Sequence, residues 1–227
     1  MPSDSCKGRH MTTSDELLIL CAAGMLVSAY LIVGQKALFT ALRLYGFQSL
    51  LLGIVAATIA VSEGRHDLIV TATLTVTLKA LLIPWFLMGV IDRIGIHREI
   101  EPFLSVPASL LACLGLTVVG YRVSTGFPEG SRGMSHHLIG VALSLLLIGL
   151  FLMVTRKKAI SQILALLTVE NAVFLVAVGV TSGMPLIVEL GIAFDVILAV
   201  LILGILVHRI VDRFESMDVS RLSKLKG

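Results

Sequence analysis

The chain has few charged and few aromatic residues, and this scarcity excludes an ordinary soluble domain. Only 15% of its 227 residues are charged and 6% are aromatic, while 56% are hydrophobic. Soluble domains carry roughly 25% charged residues. The mean hydropathy is +0.97, and the apolar residues come in blocks instead of alternating or amphipathic patterns. The sequence therefore predicts a helical membrane protein.

Cysteine is equally scarce, and the cysteines that are present form no ligand set. Cys6, Cys21 and Cys113 are odd in number and show no CxxC spacing, so they predict no disulfide framework and no zinc or iron–sulfur site. The sequence also lacks a glycine-rich phosphate loop, an HExxH motif and a nucleophile elbow. We therefore expect no cofactor, no metal and no catalytic residue in this chain. Its basic residues are not interleaved with aromatics, so nucleic acid is not expected as a partner.

Seven apolar stretches predict an all-α, polytopic membrane helix bundle of about seven transmembrane helices. A helix needs about 20 apolar residues to cross a hydrocarbon core of about 30 Å. The stretches are 17–35, 46–61, 67–91, 103–121, 138–154, 159–181 and 185–208. The corresponding divisions are a polar N-terminal tail (1–16), a four-helix part (17–122), an external loop (123–137), a three-helix part (138–208) and a cytoplasmic tail (209–227).

Lysine and arginine in the loops predict the orientation, because cytoplasmic loops are enriched in both. One side of the predicted bundle holds five of them and the other side holds twelve. The N-terminus is therefore expected outside and the C-terminus in the cytoplasm. The split also favours an odd number of spans, because removing one would scramble the asymmetry.

Ionisable side chains inside the predicted spans are the sharpest functional signal. Lys79 and Glu170 lie near the middle of their stretches, Asp195 lies about halfway along the last one, and Glu189 lies nearer its outer end. Each charge at a helix centre costs about 2.5 to 3.5 kcal/mol. One interpretation is a hydrated proton path through Lys79, Glu170 and Asp195, since burial disfavours the charged forms and eases proton exchange. The other is a buried ion pair that only fixes helix packing.

Glu189 and two further residues, Pro84 and Asn171, are accessory candidates beside these charges. Pro84 follows Lys79 by five positions and removes a backbone hydrogen bond near the lysine, which kinks the helix. Such an opening would admit water or let the ammonium group move. Asn171 directly follows Glu170 and is expected to be its polar neighbour.

The last three predicted spans resemble the small three-helix subunit of respiratory complex I and of the multisubunit cation/proton antiporters. That family carries a glutamate midway along its second helix, which Glu170 matches in the segment 167–173 (LTVENAV). A second acidic residue sits midway along its third helix, and Asp195 in 192–197 (IAFDVI) takes that place. The complex I subunit typically has a glutamate there, so this chain offers a shorter side chain.

Residues 15–227 as a whole resemble the hydrogenase-4 component E family. The segment 77–84 (TLKALLIP) is similar to that family's lysine-bearing third span, and 46–50 (GFQSL) to the entry of its second. The resemblance implies a non-catalytic subunit of an oxidoreductase complex in the inner membrane of a bacterium or archaeon. It implies as partners large antiporter-like membrane subunits and a [NiFe]-hydrogenase-type catalytic arm, and it implies a proton-path role for Lys79, Glu170 and Asp195.

Two other functions remain open from the sequence. The chain is alternatively a subunit of a multisubunit cation/proton antiporter, or a structural membrane anchor whose buried charges only lock helices together. A free-standing solute transporter is disfavoured, because no pair of inverted repeats with broken helices is apparent.

Overall fold

The described helices follow the apolar runs of the sequence, with their ends displaced by several residues in places. A computed structural model describes residues 13–64, 69, 73, 76–94, 104–126 and 135–181. Its helices are α1 (Thr13–Gly34), α2 (Leu38–Glu63), a π-helix (Val76–Leu82), α3 (Ile83–Ile94), α4 (Val106–Ser124), α5 (Ser135–Thr155) and α6 (Ala159–Thr181). Every element in these ranges is helical, which confirms the predicted class.

Five of these helices (α1, α2, α4, α5 and α6) are long and apolar enough to cross a membrane. The third predicted span is described from residue 76 onward as the π-helix and α3. The seventh predicted span, 185–208, lies outside the described residues. The number seven and the orientation of the termini therefore stay predictions.

Helix boundaries differ from the predicted stretches mainly at α2. This helix begins at Leu38, eight positions before the predicted start, because its first two turns already bury Leu38, Ala41 and Leu42 on one face. It ends at Glu63 and is followed by Gly64, whose φ of 66° is the left-handed conformation that glycine adopts easily at a helix end. The predicted sixth span, 159–181, has the same bounds as α6.

Short connections make two antiparallel hairpins. Residues 35–37 join α1 to α2, and residues 156–158 join α5 to α6. Both connections lie at the same end of the bundle, because Arg156 donates a hydrogen bond to the backbone carbonyl of Val33 (2.8 Å). Helix α1 packs against α2 and α5, and α6 packs against α5 and α2, so these four helices form the centre of the described bundle.

The remaining elements flank this centre on two sides. The π-helix and α3 pack against α2, whereas α4 packs against α5 and α1. Helix α4 is the least covered of the five long helices, with 17% of its apolar span buried. Its uncovered side chains are apolar, among them Leu111, Leu114 and Val118, as expected of a helix whose outer face meets lipid.

Candidate functional site

A lysine–glutamate ion pair lies inside the described bundle. The Lys79 Nζ atom donates a hydrogen bond to Glu170 Oε1 at 2.7 Å. Only 3% of the lysine side chain and 6% of the glutamate side chain are exposed. Lys79 comes from the π-helix and Glu170 from the middle of α6, so the structure brings together two of the three residues predicted for a proton path. Removal of either side chain would break this buried ion pair, and breaking a buried ion pair typically costs about 3–5 kcal/mol.

Helix α6 contacts the lysine with a second side chain. The Phe174 ring centre lies 5.7 Å from Lys79 Nζ, within the range of a cation–π interaction. Phe174 is four positions beyond Glu170, so the two side chains lie on the same face of α6. This ammonium group is therefore bounded by a carboxylate on one turn of α6 and an aromatic ring on the next.

The backbone around Lys79 is not a regular α-helix. Residues Val76–Leu82 form a π-helix, and Pro84 is the second residue of the α-helix that follows. Proline has no N–H, so Pro84 cannot donate to the carbonyl of Ala80 as an α-helical residue would. Isolated π-helical turns occur frequently at functional sites. The predicted disturbance of the helix beside Lys79 is present as this π-helix.

Helix α2 approaches that disturbed backbone closely. A Cβ atom added to Gly46 would lie 3.1 Å from the Ala80 carbonyl oxygen and 3.4 Å from Pro84 Cγ. A Cβ atom at this position would be in tight contact with the π-helix backbone, whereas glycine, which has no side chain, lets the α2 backbone approach without displacing it. The position of the π-helix that carries Lys79 thus depends in part on a glycine of α2, the element described before it in sequence.

Asn171 belongs to a buried polar cluster that joins α6, α2 and α1. Its Nδ2 group donates to Gln48 Oε1 (3.3 Å) and to Ser49 Oγ (3.0 Å). Gln48 in turn donates through Nε2 to the Met25 carbonyl (3.2 Å), which also accepts from Ser28 Oγ (2.7 Å). The Asn171, Gln48 and Ser49 side chains are fully buried. Asn171 therefore follows Glu170 directly in sequence, and its side chain hydrogen-bonds to residues of α2.

The amide orientations in this cluster follow from the Met25 carbonyl. That oxygen can only accept, so Gln48 must present its NH₂ group to it and its carbonyl oxygen to Asn171. Asn171 must therefore donate, and its own Oδ1 atom has no hydrogen-bond partner among the described residues. Buried polar atoms are nearly always satisfied, often by ordered water.

Sequence reasoning missed Gln48 and Ser49 as members of the site. They are two adjacent polar residues inside an otherwise apolar stretch. This interruption of the stretch is the sequence feature that could have indicated a buried polar site. Two predicted acidic residues, Asp195 and Glu189, lie outside the described residues. Among the described residues, no three His, Cys, Asp or Glu side chains group together in a way that could hold a metal ion.

The fold and this site define a polytopic helical membrane protein that encloses a lysine–glutamate pair within its bundle. The chain belongs to the same family as Uncharacterized protein Rv0085 of Mycobacterium tuberculosis, with 30% identity over 211 residues, 92% of this chain and 96% of that protein. It is 28% identical over 205 residues to hydrogenase-4 component E of Escherichia coli and of Shigella flexneri, covering 89% of this chain and 94% of those proteins. No family model and no solved structure matches the chain.

Proposed function

We propose that this chain is a non-catalytic membrane subunit of a hydrogenase-type oxidoreductase complex, in which the Lys79–Glu170 pair forms part of a proton-translocation path. The observation that carries the proposal is the 2.7 Å contact between Lys79 Nζ and Glu170 Oε1, at the middle of α6 and away from both ends of the bundle. Similarity to hydrogenase-4 component E over nine-tenths of the chain supports the type of complex.

The two side chains would act as a relay for one proton at a time. A proton that reaches the Glu170 carboxylate neutralises it and removes the attraction on the Lys79 ammonium group. The ammonium group then gives a proton to the next acceptor and becomes a neutral amine. Transfer of the Glu170 proton to that amine restores the charged pair, so one proton has entered at Glu170 and one has left from Lys79.

Asp195 is proposed as a further residue of the proton path, on the strength of the resemblance of residues 192–197 to the small complex I subunit. In the full proposal, the chain crosses the inner membrane of a bacterium or archaeon seven times, with its C-terminus in the cytoplasm. Large antiporter-like subunits and a [NiFe]-hydrogenase-type arm are its partners, and the chain itself holds no cofactor. The polar residues Asn171, Gln48 and Ser49 would supply hydrogen-bonding groups beside the pair.

The type of complex is tested by purification in mild detergent through a C-terminal tag, followed by mass spectrometry of the proteins that accompany the chain. Recovery of a [NiFe] catalytic arm with antiporter-like subunits is the expected result. Recovery of antiporter-like subunits without a redox arm would indicate instead that the chain is a subunit of a cation/proton antiporter. Recovery of the chain by itself would overturn both assignments.

The proton path is tested on the assembled complex in inverted membrane vesicles. Glu170→Gln keeps the size of the side chain but cannot release a proton, so we expect proton translocation to be lost or sharply reduced while the complex still assembles and turns over electrons. Glu16→Gln is the matched control, because Glu16 is an exposed carboxylate near the start of α1. Normal proton translocation in an assembled Glu170→Gln complex would refute the role of the pair.

A further inference from the structure

A second buried charge lies at the end of the bundle where the two hairpin connections meet. Arg156 directly follows α5, and only 5% of its surface is exposed. One guanidinium nitrogen, Nη2, donates to the Val33 carbonyl at 2.8 Å. Carbonyl groups in the last turn of a helix carry partial negative charge, so α1 stabilises one side of this cation.

The charge of Arg156 is not balanced by a carboxylate of the described residues. The ion pair between Lys79 and Glu170 does not involve it, and no described Asp or Glu contacts it. Burial lowers the pKa of Arg156 to about 10, which still leaves the guanidinium charged at neutral pH. A buried charge without a counter-ion is unfavourable, so this arrangement favours an anion supplied from outside the described residues.

Ser161 supplies a second group with an unused hydrogen-bonding capacity beside Arg156. Its side chain is buried, with 4% exposed, and its Oγ atom has no hydrogen-bond partner among the described residues. Both residues line a small cavity of about 10 Å³, whose other walls are Ile32, Leu152, Leu164 and Ala165. That volume accommodates about one water-sized atom, hence also one oxygen of a larger oxyanion.

The start of α6 contributes backbone donors to the same place. The first helical hydrogen bond of this segment runs from the Gln162 N–H to the Lys158 carbonyl. The N–H groups of residues 159–161 precede it and therefore lack partners within the helix. These groups and the helix dipole favour a negative charge at this end.

We propose that Arg156, Ser161 and the first turn of α6 bind a phosphate group, one oxygen of which enters the cavity. Arg156 supplies the charge, Ser161 donates its hydroxyl hydrogen to the inserted oxygen, and the rest of the phosphate stays at the mouth. Two sources share this chemistry: the headgroup of an anionic phospholipid and free inorganic phosphate. Lys36, Lys157 and Lys158 lie near the same end, and basic residues between membrane helices commonly bind anionic headgroups.

The test uses the purified full chain after removal of bound lipid by detergent exchange. Phosphatidylglycerol, phosphatidylcholine and inorganic phosphate are titrated separately, and binding is followed by native mass spectrometry and by the unfolding temperature. Ser161→Ala removes only the hydroxyl and leaves the Arg156–Val33 bond in place, so this variant should fold. We expect it to weaken binding of the phosphate group about threefold to tenfold. Arg156→Gln should weaken it by about tenfold or more.

Arg122→Gln is the matched control, because Arg122 is exposed near the end of α4 at the opposite end of the bundle. This variant removes the same charge and should bind phosphatidylglycerol as the unaltered chain does. If the chain binds phosphatidylglycerol more tightly than inorganic phosphate, and Ser161→Ala weakens that binding, the site is a lipid-headgroup site. If it binds inorganic phosphate equally well and Ser161→Ala weakens that binding, the site is a free-anion site. Binding that is absent, or that is unchanged in both Ser161→Ala and Arg156→Gln, overturns the proposal. The measurement needs no partner subunit, so its outcome is independent of the proposed function.

Discussion

The carbonyl oxygen of Ala80 faces Gly46 so closely that a methyl group on the glycine would lie 3.1 Å from it. This contact sets the distance between α2 and the π-helix that carries Lys79. The Ala80 oxygen is also the atom that Pro84 leaves without its α-helical donor, so a glycine on one helix is matched to a proline on another.

Gly46→Ala should therefore move the π-helix away from α2. We expect a destabilisation of about 1–3 kcal/mol, typical of an overpacked site, and weaker proton translocation because Lys79 moves with its backbone. Gly89→Ala is the control, since a Cβ atom there would meet nothing within 4 Å. Unfolding in a denaturing detergent measures the difference. Equal stability of the two variants would contradict the close contact.

The buried ion pair predicts a strongly non-additive pair of substitutions. Lys79→Met or Glu170→Leu alone breaks the buried ion pair and should cost about 3–5 kcal/mol. The double variant removes both charges and should regain most of that stability, because an apolar replacement of a buried pair is often neutral.

The same double variant separates a proton path from a packing role. If the pair conducts protons, the double variant is stable but does not translocate them. A stable double variant with full proton translocation would establish the structural-anchor function instead. A double variant no more stable than the singles would show that the two charges do not interact.

The polar cluster on α6, α2 and α1 predicts a loss of stability without any change of charge. Asn171→Leu removes the donor to Gln48 Oε1 and to Ser49 Oγ, and leaves buried acceptors unsatisfied at about 1–3 kcal/mol. Val173→Leu is the control on the same helix, because Val173 is about half exposed. Equal free energies of unfolding for Asn171→Leu and Val173→Leu would show that the cluster contributes nothing to stability.

Helix α4 is held against α5 by a contact that admits no side chain. A Cβ atom on Gly120 would lie 2.7 Å from the Ser144 backbone nitrogen, so Gly120→Ala should loosen α4 by about 1–3 kcal/mol. Gly115→Ala on the same helix meets nothing within 4 Å and should be neutral or slightly stabilising. Adding Ser144→Gly to Gly120→Ala should not restore stability, because the clash involves the backbone; a full rescue would contradict this.

Helix positions could be predicted from sequence because a membrane span is a long apolar run. The bounds of α6 match the predicted 159–181. The departure at α2 reflects two first turns that look less apolar because the second of them contains Arg43. The central placement of Glu170 and the disturbance before Pro84 were likewise predictable, since both depend only on position along one helix.

The partners of those residues were not predictable in the same way. Lys79 and Glu170 are 91 positions apart, and a helix that is apolar all round does not reveal which of its faces meets a neighbour. The polar residues Gln48 and Ser49 mark a face of α2, but only packing shows that this face meets Asn171. The sequence therefore predicts where the helices lie along the chain, but it does not predict which helix faces contact each other.

The amides of Asn171 and Gln48 donate in the same direction, from α6 through α2 to the Met25 carbonyl of α1. Their dipoles therefore add, and the negative pole of this short series is Asn171 Oδ1 on α6, one residue from Glu170 in sequence. In a medium of low dielectric constant, an aligned pair of dipoles creates a lasting local field. The polar cluster thus places a partial negative charge on α6 at Asn171 Oδ1, although neither amide carries a net charge.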